Sequence, residues 1–459
     1  MRQPLDIADD WGVVSLASRL HAGEAAAPAT VDLCLDRIGV LDGELHSFVH
    51  VAEAHARTVA RQDRTGPLAG VPFAAKDTID VAGMPCEAGS RLREGHVATV
   101  DAPIVRALHA AGAICLGKLA CWEYGTGNGG EYFDLKRPPA RNPWDLARAT
   151  GGSSTGSGAA VAAGLVPFAL GSDTTGSVRL PAAATGTVGM IPTRGRLSTE
   201  GLLPNCYTLD VPGVFAWTVE DTARVLATLL ADPQLEARAA EPVAGLRVAV
   251  AREPGAGMPA ADPALVEGID AGLDVLASLG VELFDVRLPV AVADCFAATR
   301  MIGPTESAAI HEAELRTRPE AMGFALRDKL LYGSLVRAVD YVQAQRFAHH
   351  VAGEIDRLLR DYDALVTFGT LHLPPVLGVE PAMTAFTVDT MLTPFNLSGH
   401  PALVQCTGFS ASGLPLHWQV VAKRGDEASG LRLARAYERA TPWRRRRPPI
   451  VAALAEMTA

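Results

Sequence analysis

The sequence predicts a layered α/β protein, in which helices cover a β-sheet. Three stretches support this prediction. Residues 103–118 (PIVRALHAAGAICLGK) have apolar residues at helical spacing and then a strand-like apolar run. Residues 159–170 (AAVAAGLVPFAL) are long enough for a buried helix followed by a short strand, and residues 246–251 (LRVAVA) predict a further strand.

The N-terminal part of the chain is predicted to form a helical layer. Apolar residues at helical spacing over 13–23 and 28–41 predict two helices, and residues 46–52 (HSFVHVA) predict a strand. The next stretch, EAHARTVARQDRT, has the composition of an exposed helix, which we expect to end at Gly66.

The second half of the chain is predicted to be largely helical. Beyond Leu230, the stretch ADPQLEARAAEPVAG is polar and contains prolines, which predicts a connection on the surface. Helices are predicted over 263–279 and over much of 303–360. Glu306 and His311 fall in the second of these regions, where we expect them to support the structure or line a pocket rather than take part in chemistry.

Composition and charge argue against several classes of protein. The 459 residues, 48% of them hydrophobic, can bury a large core. A net charge of −10 argues against nucleic acid as the main partner, and the basic run WRRRRPP at 443–449 is interpreted as a solvated C-terminal face. The seven cysteines are scattered without a CxxC pair, so neither a disulfide framework nor a zinc site is expected. With a polar start (MRQPLDIADDW) and no apolar stretch long enough for a bilayer, we expect a cytoplasmic protein that does not enter a membrane.

Two glycine-rich patterns resemble nucleotide-binding loops but lack the required context. Gly112, Gly117 and Lys118 match most of a phosphate loop, but Leu119 stands where a serine or threonine would hold magnesium. GTGNGG at 125–130 fits GxGxxG, but the EYFDLKRPPARNP that follows contains three prolines and cannot supply the helix on which a pyrophosphate would rest. We therefore expect no nucleotide cofactor.

The stretch 151–181 (GGSSTGSGAAVAAGLVPFALGSDTTGSVRLP) holds two serine clusters among glycines and threonines. Each cluster lies at the end of a predicted core element rather than on a free loop. Glycines let backbone N–H groups converge on one point, which is how an acyl-transfer site stabilises an oxyanion. A serine nucleophile also needs a neighbouring base, and that base must come from elsewhere in the chain.

One interpretation of the first cluster is a nucleophile elbow, because Gly152, Ser154 and Gly156 fit the GxSxG pattern of α/β-hydrolases. That turn needs a strand that runs directly into it, and RNPWDLARAT at 141–150 does not predict such a strand. No Asp and His follow in the expected context. An α/β-hydrolase is therefore disfavoured.

Lys76 is the one lysine in the apolar run GPLAGVPFAAKDTIDVAGMP at 66–85. A single lysine in an apolar strand is unusual. From this segment alone, the more common explanation is a lysine at a strand edge, whose stem is buried and whose ammonium group reaches water.

Several spaced motifs together resemble the amidase signature family of serine amidohydrolases, in its branch of stand-alone amidases. In chain order they are GPLAGVPFAAKD, GGSSTGSGAAVAAG, GSDTTGSVRLPAAATGTVGMIPTRGRLS, TPFNLSGHPAL and GLPLHWQVVAKRGDEASGLRLARAYE. They extend over nearly the whole chain. The resemblance implies an α/β amidase signature fold, with a large central mixed β-sheet covered by helices on both faces.

The resemblance also implies how the chain is divided. Residues 1–459 would form a single amidase domain. Its parts would be a helical N-terminal layer (1–62), the catalytic motif region (66–230), a variable and largely helical covering region (231–360) and a C-terminal return to the core (361–459).

The family uses a Ser-cisSer-Lys triad, and its motif positions fall on Ser177 as nucleophile, Ser153 as bridging serine and Lys76 as base. The base must be neutral, and burial lowers the pKa of a lysine from its ordinary value of about 10.4. No cofactor and no metal are implied. The resemblance places the oxyanion hole at the backbone N–H groups of four consecutive residues, Thr174, Thr175, Gly176 and Ser177.

Asp173 and Arg179 also match the family pattern. We expect them to brace the nucleophile loop by hydrogen bonds, with an ordinary buried ion pair as the alternative. Two residues depart from the pattern, since Thr155 stands where glycine or serine is common and Thr175 where glycine or alanine is usual. A threonine at position 175 would be strained if that position required a positive φ. The departures bear on substrate range more than on mechanism.

By the same resemblance, Tyr124, Gly125 and Thr126 should form part of the acyl pocket, with Ser154 as a further substrate-binding residue. The alternative for Tyr124 is an ordinary core aromatic residue. The implied activity is cleavage of a linear carboxylic amide, a small molecule, to an acid plus ammonia or an amine. Two other functions stay open, a glutaminase-type amidotransferase subunit that needs partner chains and a catalytically silent binding protein on the amidase fold. Homodimers are common in the family, so a homodimer is compatible with the resemblance.

Overall fold

Eleven strands form one β-sheet in the computed structural model, which describes residues 11–126 and 137–452. The strands of the described residues are β1 (Phe48–Val51), β2 (Pro72–Lys76), β3 (Ile114–Leu119), β4 (Arg141–Asn142), β5 (Asp145–Ala149), β6 (Phe168–Asp173), β7 (Val188–Ile191), β8 (Val211–Ala216), β9 (Arg247–Ala251), β10 (Glu282–Asp285), β11 (Ala364–Thr367), β12 (Ala402–Phe409) and β13 (Pro415–Ala422). Strands β4 and β5 form a separate two-stranded sheet. The others lie in the order β1-β3-β2-β6-β8-β7-β12-β13-β11-β9-β10.

The large sheet is mixed, as predicted. Strand β2 is parallel to both β3 and β6, and β9 is parallel to both β10 and β11. The other neighbours in the sheet are antiparallel. Parallel strands need crossover connections, which here contain helices.

Helices cover both faces of the sheet. They are α1 (Val13–His21), α2 (Ala27–Leu45), α3 (Glu53–Ala60), α4 (Pro103–Ala110), α5 (Thr155–Ala162), α6 (Arg179–Thr185), α7 (Val219–Leu230), α8 (Leu235–Ala239), α9 (Pro263–Ser278), α10 (Val292–Ile310), α11 (Glu312–Thr317), α12 (Phe324–Leu335), α13 (Ala338–Leu358), α14 (Glu380–Val388), α15 (Thr393–Ser398) and α16 (Glu427–Ala440). In β2, Phe73 and Ala75 face one apolar core, to which α1, α4, α7, α9 and α16 contribute. Ala74 faces the other core, with α2, α5, α6, α10, α13 and α15. This alternation has the period of two that a strand buried on both faces requires.

The predicted helix after β1 is shorter than expected. Helix α3 ends at Ala60, not at Gly66. Arg64 explains the difference, because its guanidinium donates hydrogen bonds to the carbonyl oxygens of Gly112, at 2.9 Å, and Ala113, at 3.2 Å. These bonds tie the segment after α3 to the connection between α4 and β3.

The predicted surface connection after Leu230 contains the short helix α8. Its first residue, Leu235, is fully buried in the apolar core, and Glu236 accepts a hydrogen bond from Arg224 at 2.7 Å. The burial of Leu235 and the ion pair between Arg224 and Glu236 therefore stabilise α8 in a stretch whose composition is otherwise that of a loop.

Lys118, from the phosphate-loop pattern, lies inside β3 and is fully buried. Its ammonium group lies 3.4 Å from a carboxylate oxygen of Asp77 and donates to the carbonyl oxygen of Pro85 at 2.9 Å. Lys118 is thus committed to a buried ion pair and is not available to a phosphate. In the GxGxxG pattern, Gly127 and Gly130 lie outside the described residues.

Within the described ranges, none of the helices is long and apolar enough to cross a membrane.

The parallel pairing of β2 with β6 determines where the candidate site lies. In this pair Ala75 is level with Leu170, so both strands end at the same edge of the sheet. Residues at the carboxyl ends of neighbouring parallel strands meet in one crevice, where α/β proteins place their sites. Lys76 ends β2 there, and Ser172 and Asp173 end β6.

Candidate active site

Lys76 is fully buried, which contradicts the alternative of a lysine at a strand edge. Its ammonium nitrogen, Nζ, lies 2.8 Å from Oγ of Ser153 and 3.0 Å from Oγ of Ser172. Burial lowers the pKa of Lys76 to about 8, although Cys121 and two nearby carboxylates partly oppose this effect. A substantial fraction of the side chain is therefore a neutral amine near pH 8, and a neutral amine can accept a proton.

Ser153 lies between strand β5 and helix α5. The peptide bond between Gly152 and Ser153 is cis, as the resemblance implies. The carbonyl oxygen of Ser153 accepts a hydrogen bond from the backbone N–H of Trp122 at 3.0 Å. A Cβ atom at Gly152 would lie 2.2 Å from the Trp122 ring, so the close packing here requires glycine. These contacts position the Ser153 hydroxyl against Lys76.

Ser177 lies in the loop between β6 and α6, next to the first serine cluster. Its carbonyl oxygen accepts a hydrogen bond from the backbone N–H of Ser154 at 3.3 Å. Gly176 has a φ of +126°, and a Cβ atom there would lie 2.6 Å from the Leu392 side chain. The backbone of Thr175 is not left-handed, so a threonine is not strained at that position.

The predicted oxyanion hole requires a correction at Gly176. Its backbone N–H donates a hydrogen bond to Oδ1 of Asp173 at 2.7 Å, because the Asp173 carboxylate turns back under the loop. Among the described residues, the backbone N–H groups of Thr174, Thr175 and Ser177 donate to no protein acceptor. Three of the four predicted donors thus have no protein acceptor among the described residues, and the fourth holds the loop.

Asp173 and Arg179 form a fully buried ion pair, in which Nη2 of Arg179 lies 3.1 Å from Oδ1 of Asp173. Burial alone would raise the pKa of the Asp173 carboxyl, but Arg179, Asn396 and the backbone N–H of Val178 outweigh it and hold that pKa below its usual value. Arg179 also donates to Gln419 at 2.7 Å and to Asn396 at 2.5 Å. The pair therefore braces the loop that carries Ser177 through a network that reaches β13 and α15.

The Arg179→Met variant should lower the free energy of unfolding by roughly 3–5 kcal/mol, because it leaves the buried Asp173 charge without its partner. Urea denaturation followed by circular dichroism measures this change. The matched control is Arg57→Met, which removes an exposed ion pair with Asp32 and should leave the transition in place. An unchanged midpoint for Arg179→Met would contradict the role of the ion pair.

The GxSxG pattern is not an exposed elbow. Contrary to expectation, RNPWDLARAT does contain a strand before it, β5, but β5 pairs with β4 and bridges Val376, and it lies outside the large sheet. The Ser154 hydroxyl is fully buried and donates to the carbonyl oxygen of Ser172 at 3.2 Å. Ser154 also does not line the cleft above Ser177, so the structure gives it a supporting position rather than the predicted contact with substrate.

A cleft with an empty volume of about 840 Å³ leads to Ser177. Its walls are the loop 174–177, the face of α10 that carries Thr299 and Gly303, the end of α14 (387–388) and the start of α15 at Thr393. Thr175 is exposed and lines this cleft. Thr155 lies elsewhere, at the start of α5 and against a second cavity.

Of the three residues predicted to form the acyl pocket, one, Gly125, lines the cleft. Tyr124 does not, because its ring belongs to a buried cluster with Met322 and Leu326 and packs against His311 at 4.3 Å between ring centres. Tyr124 is therefore a core aromatic residue, which was the alternative. Thr126 is buried beside the cleft, where its hydroxyl accepts a hydrogen bond from Lys329 at 3.3 Å.

Glu306 and His311 have structural positions, as expected. Glu306 accepts hydrogen bonds from the hydroxyl groups of Thr208 at 2.6 Å and Tyr341 at 2.9 Å, and so joins α10 to α13. Burial lowers the pKa of His311 to about 4. Across the part of the chain that the structure describes, no three His, Cys, Asp or Glu residues are placed to hold a metal ion.

Several residues of the site were not found from the sequence. Asn396 and Gln419 accept hydrogen bonds from Arg179. Both lie in motifs that the family resemblance matches, and a polar residue in an apolar motif is a signal for a buried hydrogen-bond partner. Lys329 and Arg300 line the cleft from helices α12 and α10. No local pattern marks these two cations, because only the packing of the covering helices brings them to the cleft.

Comparisons with known proteins identify the family and the fold. The family model for amidases matches residues 29–431. The chain is 33% identical to a glutamyl-tRNA(Gln) amidotransferase subunit of Chloroflexus aggregans, over 95% of this chain and 97% of that protein. Among solved structures, 6-aminohexanoate cyclic dimer hydrolase in complex with substrate superposes with a TM-score of 0.88 at 28% identity and covers 96% of this chain and 100% of that one. The corresponding amidotransferase subunit of Thermotoga maritima gives a TM-score of 0.80 at 29% identity, over 96% of this chain and 97% of that one.

Proposed function

The chain belongs to the amidase signature family, whose members hydrolyse carbon–nitrogen bonds, and from that premise we propose that it cleaves a linear carboxylic amide to an acid and ammonia or an amine. In this proposal Ser177 is the nucleophile, Ser153 the relay and Lys76 the base. The observation that carries it is the 2.8 Å contact between Nζ of Lys76 and Oγ of Ser153, buried beside the cleft that reaches Ser177.

The proposed reaction follows from the protonation state of Lys76. The neutral amine takes a proton from the Ser153 hydroxyl, which takes one from Ser177 as Oγ attacks the amide carbonyl carbon. The tetrahedral intermediate then collapses, the carbon–nitrogen bond breaks, and the relay returns a proton to the departing nitrogen. A water molecule, activated by the same relay, releases the acid from the acyl-enzyme and restores Ser177.

The negative charge of the tetrahedral intermediate requires donors that are already in place. We assign this role to the backbone N–H groups of Thr174, Thr175 and Ser177. Gly176 is assigned to the loop instead, since its N–H is bonded to Asp173. Each donor of this kind typically contributes about 10²–10³-fold in kcat.

Reaction with a fluorophosphonate, followed by intact-mass and peptide analysis, tests the nucleophile. We expect a single adduct, on Ser177. Purified chain incubated with a panel of linear amides should also release acid and ammonia or amine in equal amounts. No adduct and no product, under conditions that label and assay a known amidase, would contradict the proposal and favour a catalytically silent amidase fold.

The pH dependence of kcat/KM should report the base. Because the pKa of Lys76 is lowered to about 8 and only its neutral form accepts a proton, kcat/KM should rise with pH and level off above about pH 8. Steady-state rates for one uncharged amide between about pH 6 and 10 measure this, with circular dichroism at each pH as the control for folding. A profile that is flat across pH 8 would contradict Lys76 as the base.

An amidotransferase subunit is the second candidate. The 33% identity to the Chloroflexus aggregans amidotransferase subunit, over 95% of the chain, favours it. A protein of this type would act on glutamine and need partner chains. It would therefore hydrolyse glutamine only weakly alone, and other amides no better. Ready turnover of simple amides and poor turnover of glutamine by the purified chain would favour the amidohydrolase.

A further inference from the structure

Asn205 lies where the cleft, the loop 174–177 and the covering helices meet. It belongs to the connection between β7 and β8 and lines the cleft that leads to Ser177. It is outside the five motifs of the family resemblance, and the proposed reaction gives it no role. Its carboxamide nevertheless makes hydrogen bonds at both ends, one toward the reacting centre and one toward the helices.

The nitrogen of the Asn205 carboxamide faces the loop that carries Ser177. Nδ2 donates to the carbonyl oxygen of Gly125 and to the hydroxyl of Thr174, both at 3.2 Å. A carbonyl oxygen can only accept a hydrogen bond, so the contact with Gly125 fixes which end of the carboxamide points this way. The Thr174 hydroxyl in turn donates to Oδ1 of Asp210 at 2.5 Å. The Thr174 side chain is therefore held from two directions.

The hold on the Thr174 side chain extends to its backbone N–H, one of the three donors assigned to the oxyanion. A side chain fixed in one rotamer limits how the backbone of the same residue can turn. An oxyanion donor stabilises the transition state only when it is in place before the reaction. The network of Asp173 and Arg179 braces the same loop but contains neither Asn205 nor Asp210. The loop thus has a second support.

The oxygen of the Asn205 carboxamide faces the covering helices. Oδ1 accepts a hydrogen bond from Nζ of Lys329 on α12. The Ser307 hydroxyl on α10 lies 2.6 Å from the backbone carbonyl oxygen of Asn205 and 3.1 Å from Oδ1. A hydroxyl has one proton, which the shorter contact receives. Lys329 is therefore the main donor to Oδ1, and Ser307 holds the backbone.

Lys329 can support the carboxamide in either protonation state. Burial lowers the pKa of Lys329 to about 8, although Cys206 and Asp210 partly oppose this effect, so the ammonium and the neutral amine are both present near pH 8. The ammonium has three N–H bonds and the amine has two. Two are enough for the contacts with Oδ1 of Asn205 and with the Thr126 hydroxyl. The support of Asn205 therefore does not depend on the charge of Lys329.

We propose that Asn205 is a positioning residue of the oxyanion hole, which fixes the Thr174 N–H through the Thr174 hydroxyl, and that Lys329 in turn fixes the Asn205 carboxamide. This inference rests on the proposed amidohydrolase function. It gives the covering helices a part in catalysis, because α10 and α12 reach the oxyanion hole through the single side chain of Asn205.

Two affinities test the inference, one for a mimic of the transition state and one for the substrate. The mimic is the trifluoromethyl ketone analogue of the amide that the chain hydrolyses fastest, because its adduct with Ser177 carries an oxyanion. The substrate affinity is that of the amide itself for the Ser177→Ala chain, measured by calorimetry. A residue that positions an oxyanion donor should affect the first affinity and not the second.

Asn205→Leu should lower kcat/KM and the affinity for the trifluoromethyl ketone by the same factor, about 10²-fold, as expected when one oxyanion donor is misplaced. On the Ser177→Ala background, the same change should alter amide binding by less than about 3-fold. Lys329→Met removes the donor to Oδ1 at similar side-chain length and should give the same pattern at about 10-fold.

The matched control is Gln345→Leu, which removes a carboxamide from the covering helix α13. Gln345 donates to the hydroxyl groups of Thr208 and Tyr341, both at 3.1 Å, and does not line the cleft. This variant should keep kcat/KM and both affinities, even where it lowers the stability of the covering helices. Thermal unfolding of each variant shows whether it is folded at the assay temperature.

The outcomes separate this inference from the proposed function. Equal losses of both affinities in Asn205→Leu would mean direct contact with substrate and would overturn the positioning role, as would the same loss in Gln345→Leu. Folded Asn205→Leu and Lys329→Met chains with unchanged kcat/KM would also overturn it and leave the amidohydrolase. If the unaltered chain hydrolyses no amide of the panel and forms no fluorophosphonate adduct, both proposals fall together.

Discussion

Replacing Ser177 with alanine is expected to lower kcat/KM for amide hydrolysis by at least about 10⁴-fold, because the proposed reaction then loses the oxygen that carries the acyl group. Ser177 alone of the motif serines lines the cleft. Ser153 and Ser154 are both buried behind it. Release of acid from an uncharged amide, compared at equal enzyme concentration, measures the loss, and the fluorophosphonate adduct should disappear with it.

Ser154→Ala is the matched control for this variant. Ser154 belongs to the GxSxG pattern, and its hydroxyl only donates to the carbonyl oxygen of Ser172. Its loss should lower stability slightly through one buried hydrogen bond but preserve the adduct on Ser177. If the adduct persisted in Ser177→Ala and vanished in Ser154→Ala, the nucleophile would be Ser154 and the interpretation as an elbow would be restored.

The sequence predicts the parts of this site that depend on local pattern. Helices α4 and α5 and strands β3, β6 and β9 follow from apolar periodicity, because each buries a continuous face. Lys76 and the serine clusters stand out because they interrupt such runs. Their meeting at one edge of the sheet depends on the parallel pairing of β2 with β6, which periodicity alone does not give.

Contacts between distant segments could not be predicted in the same way. The motif of Tyr124 predicts a place in the pocket, but the packing of α12 and His311 against the Tyr124 ring determines where the ring lies. The motif also predicts that the Gly176 N–H binds the oxyanion, but this N–H donates to the Asp173 carboxylate, which turns back under the loop. Lys329 and Asn205 are 124 positions apart in the chain, and only the folded covering helices bring them together.

The Lys76→Met variant should lower kcat/KM by about 10³–10⁴-fold, because the serine relay then has no base. The same change should leave thermal stability unchanged or raise it. Lys76 contacts the hydroxyl groups of Ser153 and Ser172 but no carboxylate, so methionine removes a buried amine without leaving an unpaired charge. Initial rates and a thermal melt on the same preparation measure both effects.

Lys118→Met provides the matched control, since Lys118 is equally buried one strand away in β3. Lys118 neutralises Asp77, so its loss should lower the free energy of unfolding by roughly 3 kcal/mol and largely preserve kcat/KM below the melting temperature. The two lysines should therefore show opposite effects, one on activity and one on stability. A loss of activity without a loss of stability is expected for a catalytic base, because burying a neutral amine lowers the stability of the fold. A Lys76→Met chain that lost stability and kept its activity would contradict the role of Lys76.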